Sequence, residues 1–142
     1  MTEMTNRAAV EIVAELHRRQ RQMYAGGSVE AVAEMLAEDI VWHVPGSSPI
    51  AGDHAGVEAV LAYFEKRRAI ASSTMEMYPG EAMSGPGSVA QFVEGRAEID
   101  GERVTWQTVG AYRVDEAAGK VREVSLVPLD LALFDEIWSS IS

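Results

Sequence analysis

The chain has 142 residues, with 22 Asp and Glu against 12 Lys and Arg for a formal net charge of -10, and 47% of it is apolar. That length and composition fit one folded domain spanning 1–142 rather than a disordered chain. The acidic balance disfavours nucleic acid and anionic membrane surfaces as partners. The absence of cysteine excludes disulfides, thiolate nucleophiles and Cys-based metal centres. No stretch has the apolar length of a signal peptide or a membrane span, so the expected location is cytoplasmic.

Residues 6–24 read as a helix, with Ala9, Val13, Leu16 and Met23 near the 3.6-residue period and Val10, His17 and Tyr24 beside that stripe. Gly26-Gly27 ends it, because glycine takes the left-handed C-cap conformation without a Cβ clash. Ser28 is an N-cap for a short second helix with Val29, Val32, Ala33 and Leu36 on one face. Asp39–Val44 has strand composition and stops at Pro45-Gly46, and the Gly-, Ser- and Pro-rich stretch from Ser47 to Ala55 reads as a loop. A third helix starts near Gly56, with Val57, Val60, Leu61 and Phe64 as its apolar stripe, and ends in Lys66-Arg67-Arg68. Those cations, like Arg18-Arg19-Gln20-Arg21, read as solvated helix faces.

From Thr74 to Val127 the pattern is strands and turns. Gly85-Pro86-Gly87 breaks the first pair, and Asp100-Gly101 between Val89–Ile99 and Val104–Val114 predicts a type I′ hairpin. Asp115–Gly119 turns into a last strand, Lys120–Val127. Pro128 stops it, and Asp130 caps a terminal helix with Leu131, Phe134, Ile137 and Trp138 inward. Helices, a strand, a helix and then an antiparallel sheet is an α+β order. Helices gathered on one face of a strongly bent sheet enclose a cone-shaped space suited to a small ligand.

The junction Gly26-Gly27-Ser28-Val29-Glu30, the stretch Trp42-His43-Val44-Pro45-Gly46 followed by Ile50–Gly56, and the ending Asp130–Trp138 carry a resemblance. The chain resembles the NTF2-like superfamily and, within it, the SnoaL-like proteins related to ketosteroid isomerases and polyketide cyclases. The resemblance implies a cone-shaped NTF2-like fold: three N-terminal helices packed on a bent, mainly antiparallel sheet, with a short C-terminal helix. It also implies a homodimer formed through the sheet, and a pocket for a small apolar molecule. The fold hosts many reactions, so it does not name one.

In ketosteroid isomerases the general-base carboxylate sits on the first strand, where this chain has His43; the positions of their tyrosine and second acid fall near Gln20 and Gly110, which supply neither group. In SnoaL-type cyclases an aspartate after the last strand serves as acid and base, and Asp130 fits that position. By this analogy His43 and Asp130 are the catalytic candidates. A neutral imidazole suits proton removal near pH 7; the alternative is a strand histidine bonded to a neighbour. Asp130 is equally well placed as a helix cap.

Strand alternation puts Trp106, Thr108, Gly110 and Tyr112 on one face, two aromatics and a hydroxyl around a gap left by glycine. With His17, Tyr24 and Gln91 they are the candidate substrate-binding residues, and ordinary core packing is the competing reading for each. His54 reads as a loop-fixing residue. The three histidines show no ligand spacing, so neither a metal nor another cofactor is expected. The Asp–Arg–Asp relay of NTF2-like epoxide hydrolases is not evident, since Arg96 and Arg113 alternate onto the outer face. The expected activity is a cofactor-independent isomerase or cyclase moving a proton on a small, largely apolar carbonyl compound, polyketide- or steroid-like. The alternative is a non-catalytic binding or dimerisation module.

Overall fold

The computed structural model describes residues 2–139, with side chains from 9 to 139. Helix α1 (Thr2–Tyr24) buries Ala9, Val13, Leu16 and Met23 completely, as the helical period requires. Gly26 N–H donates to the Met23 carbonyl at 3.0 Å and Gly27 N–H to that of Gln22 at 2.9 Å, with Gly26 at φ 110°. Those paired bonds form a Schellman motif, which satisfies carbonyls that a helix end otherwise leaves open.

Helix α2 is a single turn (Glu30–Ala33), shorter than its apolar face suggests. Ser28 Oγ accepts from Glu30 N–H at 3.0 Å. Leu36 leaves the helix and opens β1 (Leu36–Val44), because it pairs in parallel with Val121 of the last strand. Residues 52–55 were expected in a loop and instead form the short strand β2 (Gly52–Ala55), antiparallel to β1 from Val44↔Gly52 to Val41↔Ala55. Apart from half-buried His54 its residues are exposed, and backbone pairing with an otherwise open sheet edge makes it a strand.

Helix α3 (Val57–Ile70) is followed by β3 (Glu76–Gly85), β4 (Ser88–Ile99), β5 (Glu102–Asp115) and β6 (Lys120–Pro128). The β4–β5 connection is Asp100-Gly101 at φ 55° and 80°, the left-handed pair that a type I′ hairpin demands. The mixed sheet runs β2-β1-β6-β5-β4-β3, with β1–β6 as its parallel pair and the rest antiparallel. This is the α+β architecture expected from the order of elements. Register shifts between Pro79 and Ala82, and between Arg113 and Val114, are bulges of the kind that bend a strand.

On β5, Trp106, Thr108, Gly110, Tyr112 and Val114 are buried while Arg103, Thr105, Gln107, Ala111 and Arg113 are exposed. The sheet therefore has an inner face beneath the helices and an outer face in water. Helix α4 (Leu131–Trp138) closes the end of this layer with Phe134, Ile137 and Trp138. No helix among the described residues is long and apolar enough to cross a membrane.

Asp130 Oδ1 accepts from Leu133 N–H at 3.0 Å, in the N-cap position of α4. Asp130→Ala should therefore cost about 1 kcal/mol in urea denaturation, with Asp130→Ser losing much less. An unchanged midpoint for the alanine variant would show that the cap contributes nothing.

Candidate functional site

The inner face of β5 meets the helices around a small cavity of about 30 Å³, room for about two waters. Its walls come from Gln20 of α1, Arg67 of α3, Trp42 of β1 and the run Trp106, Thr108, Gly110, Tyr112 of β5. Met75, Met77, Val93, Gly95 and Leu126 complete them. Two glycines explain how the rings fit. A Cβ on Gly95 would lie 2.3 Å from the Trp106 ring, its cross-strand neighbour, and one on Gly110 would lie 2.4 Å from the Tyr112 hydroxyl. The gap that glycine leaves on β5 is thus filled by Tyr112, and the cone is largely packed with aromatic side chains.

Arg67 was read as part of a solvated basic run, and the structure corrects this. It is 5% exposed, because 60, 63, 64 and 67 continue the inward stripe of α3 by one more turn. Its Nη1 donates to Tyr63 Oη at 2.7 Å, and its guanidinium carbon lies 4.7 Å from the centre of the Trp138 ring, 5.5 Å from that of Tyr63 and 5.9 Å from that of Tyr24. Its Nε makes no hydrogen bond. The buried polar residues are His17, Gln20, Ser48, Arg67 and Thr108, so among the described residues no buried carboxylate neutralises this cation. Sequence reasoning missed it because the apolar stripe was followed only to Phe64.

His17 and Tyr112 form a buried pair, with Nε2 and Oη 2.9 Å apart and the rings edge to face. Burial, assisted by the Arg21 charge, lowers the His17 pKa to about 4, which leaves the imidazole neutral at pH 7. Its Nδ1 has no partner. With its proton on Nε2 the imidazole donates to Tyr112, and with its proton on Nδ1 it accepts from Tyr112; either tautomer leaves one N–H or O–H of the pair unmet. In the tautomer that donates from Nε2, the Tyr112 proton is free for the cavity. Burial pushes the Tyr112 pKa upward, so its hydroxyl stays protonated.

His43 does not share this space. Ile40, Trp42 and Val44 occupy the buried face of β1, and His43, on the opposite face, is bracketed by carboxylates. Nδ1 lies 2.7 Å from Asp53 Oδ1 on β2, and Nε2 lies 2.7 Å from Glu123 Oε2 on β6. The expectation that His43 faces the cone is corrected: alternation groups the residues properly, but the more apolar set is the one turned inward. Asp130 is exposed, does not line the cavity and serves as the cap already described. The two groups chosen for proton transfer therefore do not converge.

Of the remaining candidates, Trp106, Thr108 and Tyr112 line the cavity, and His17 stands behind Tyr112. Tyr24 is fully buried against Phe64 and Arg67, behind the cavity wall. Gln91 lies away from the cavity and donates to the Gly80 carbonyl at 2.9 Å, within the β3 irregularity. His54 stacks on Tyr63 and bonds the Ile50 carbonyl at 2.9 Å. Among the described residues no group of three or more His, Asp or Glu is arranged to hold a metal.

A family profile described as SnoaL-like domain matches residues 17–124. No curated protein matches the chain. Among solved structures, an NTF2-like protein from Burkholderia xenovorans LB400 is 26% identical, with a TM-score of 0.69 over 92% of this chain and 96% of that one. The epoxide hydrolase/cyclase-like enzyme SalBIII, with a role in pyran ring formation in the polyether salinomycin, is 22% identical, with a TM-score of 0.71 over 84% and 89%. Rv0760c from Mycobacterium tuberculosis, in complex with estradiol-17beta-hemisuccinate, is 22% identical, with a TM-score of 0.69 over 87% and 96%.

Two outcomes follow from this geometry. The hydrogen bonds to Asp53 and then to Glu123 raise the His43 pKa above its ordinary 6.5. A raised folded-state pKa gives stability that is fully present below 6.5 and lost as pH rises through the folded value. Chemical denaturation should accordingly show His43→Gln destabilised against the parent at pH 5.5 and nearly equal to it at pH 9, and an equal deficit at both would contradict the bracket. Gly95→Ala should cost about 1–3 kcal/mol through overpacking against Trp106 and shift its fluorescence, whereas a silent substitution would mean that the ring is not seated there.

Proposed function

The chain belongs to the SnoaL-like domain family, and on that premise we propose that its cone binds a small, flat, largely apolar compound carrying a carbonyl-type oxygen. One observation carries this reading: the hydrogen-bonding side chains of Gln20, Arg67, Thr108 and Tyr112 meet around one aromatic-lined cavity. Mostly apolar walls with a few converging polar groups are the usual make-up of a small-ligand site. The 30 Å³ of free space is too little for such a ligand, so binding requires side chains to move. Met75 and Met77 on the cavity wall are unbranched and adapt at low cost. The steroid ester held by one structural neighbour and the cyclase-like name of another support small-molecule work on this fold.

A second reading, isomerisation or ring closure through an enol(ate), is favoured by the 2.9 Å His17–Tyr112 pair. Tyr112, positioned by His17, would hydrogen-bond the enolate oxygen while keeping its proton and Arg67 would offset the negative charge there, with the proton lost from carbon passing to water. The cavity holds no carboxylate, and its neighbouring imidazole has a pKa of about 4, too low for a strong general base. Binding is therefore the better supported of the two. The same lack of carboxylates leaves an Asp–Arg–Asp hydrolase relay without its acids.

The homodimer also belongs to this reading. Phe92, Val109 and Val127 form a cross-strand row on the outer face, with Phe92 48% and Val127 51% exposed. Light scattering should give twice the monomer mass, and Phe92→Glu should return the monomer; a parent monomeric at micromolar concentration would remove the dimer.

Binding can be followed by quenching of Trp42 and Trp106 fluorescence with bicyclic aromatic and alicyclic carbonyl compounds and their acids. A true ligand at a hundred times its Kd adds about 2.7 kcal/mol of stability, and Trp106→Ala should abolish both signals. Failure of every compound to quench or stabilise would contradict the binding reading. Recovery of the ligand without deuterium after incubation in D2O supports binding alone, whereas exchange next to its carbonyl that disappears in Tyr112→Phe would establish the second reading.

A further inference from the structure

Arg67 raises a question that the packing does not answer. A guanidinium is always charged in proteins, and removing one from water costs several kcal/mol unless an opposite charge meets it. Arg67 is 5% exposed, its Nη1 is bound to a neutral tyrosine, and its Nε is unmet. Trp42, which also lines the cavity, has an unmet Nε1. Tyr112 adds an O–H whose proton is free in the tautomer in which His17 donates to its oxygen. The cavity is thus rich in donors and holds no ionised acceptor among the described residues.

We infer that the compound held in the cone is an organic anion, a flat apolar carboxylic acid whose carboxylate lies against Arg67 and takes the free N–H groups of Arg67 and Trp42. This rests on the binding reading above and narrows its ligand class. A carboxylate there supplies the missing opposite charge, and the planar guanidinium suits it better than an ammonium would. The apolar body of the acid would lie along the Trp106 ring, in space made by moving Met75 and Met77.

The test uses pairs of like shape in which the amide lacks the charge and has an NH2 donor in place of one acceptor oxygen: 2-naphthoate with 2-naphthamide, and benzoate with benzamide, titrated into the parent and followed by fluorescence and thermal shift. Hydrogen bonds to charged groups are worth about 1.5–3 kcal/mol, so the acids should bind at least about tenfold tighter than the amides. Arg67→Gln should erase that preference. If Arg67→Gln does not fold, Arg67→Lys keeps the charge and should keep the preference for acids, with weaker binding. Arg67→Met, which removes an uncompensated buried charge, should melt no lower than the parent while losing its response to 2-naphthoate. Equal binding of acids and amides would overturn the anion while leaving the binding reading intact, and binding of neither would overturn both. A large drop in the melting temperature of Arg67→Met with acid preference retained would make Arg67 a packing residue and also overturn the inference.

Discussion

Taking a guanidinium out of water without a carboxylate beside it is among the more expensive things a small protein can do, and this one does so at Arg67, among the rings of Tyr24, Tyr63 and Trp138. The ring faces of Trp138, Tyr63 and Tyr24 and one hydrogen bond from Nη1 offset part of that cost. Cation–π contacts are each worth about 0.5–2 kcal/mol, less than a buried counter-ion supplies. A buried cation without a counter-ion on a cavity wall fits a site whose electrostatics are completed by what enters it.

The same cavity is shaped by residues with no side chain. Gly95 lets the Trp106 ring lie over β4, and Gly110 lets Tyr112 fold back along its own strand. That position of Tyr112 brings its hydroxyl to His17 on α1, so sheet and helix are tied by one buried hydrogen bond. A side chain at Gly110 would displace the Tyr112 ring and with it the His17 contact. The site is therefore a property of the packing between layers.

Much of the fold was legible because local chemistry and tertiary structure agree. Gly26-Gly27 stops α1, Asp100-Gly101 turns the β4–β5 hairpin and Asp130 caps α4, each for a reason that operates within a few residues. β2 was not legible, since its short, mostly exposed run becomes a strand only through pairing with β1. The site was half legible. Period-two alternation grouped Trp106, Thr108 and Tyr112 correctly, yet alternation cannot say which face of β1 is inward. Weighing Ile40, Trp42 and Val44 against Val41 and His43 by apolar area would have turned His43 outward. Arg67 was hidden by its chemistry: it sits where the helical period places a core residue, and a cation there reads as an exposed one. Gln20, drawn into a basic run by its neighbours, was obscured in the same way.

The chemistry of the site depends on Arg67 being enclosed and free of a carboxylate. The Nε–H resonance of Arg67, followed by 15N NMR in the ligand-free protein, reports both properties at once. Slow exchange of that proton with water, together with a chemical shift that shows no titration step between about pH 3 and 6 other than that of His17, whose pKa is about 4 and which His17→Gln removes, is the expected result. Fast exchange like that of a surface arginine, or a shift that follows the titration of an acidic side chain, would contradict it.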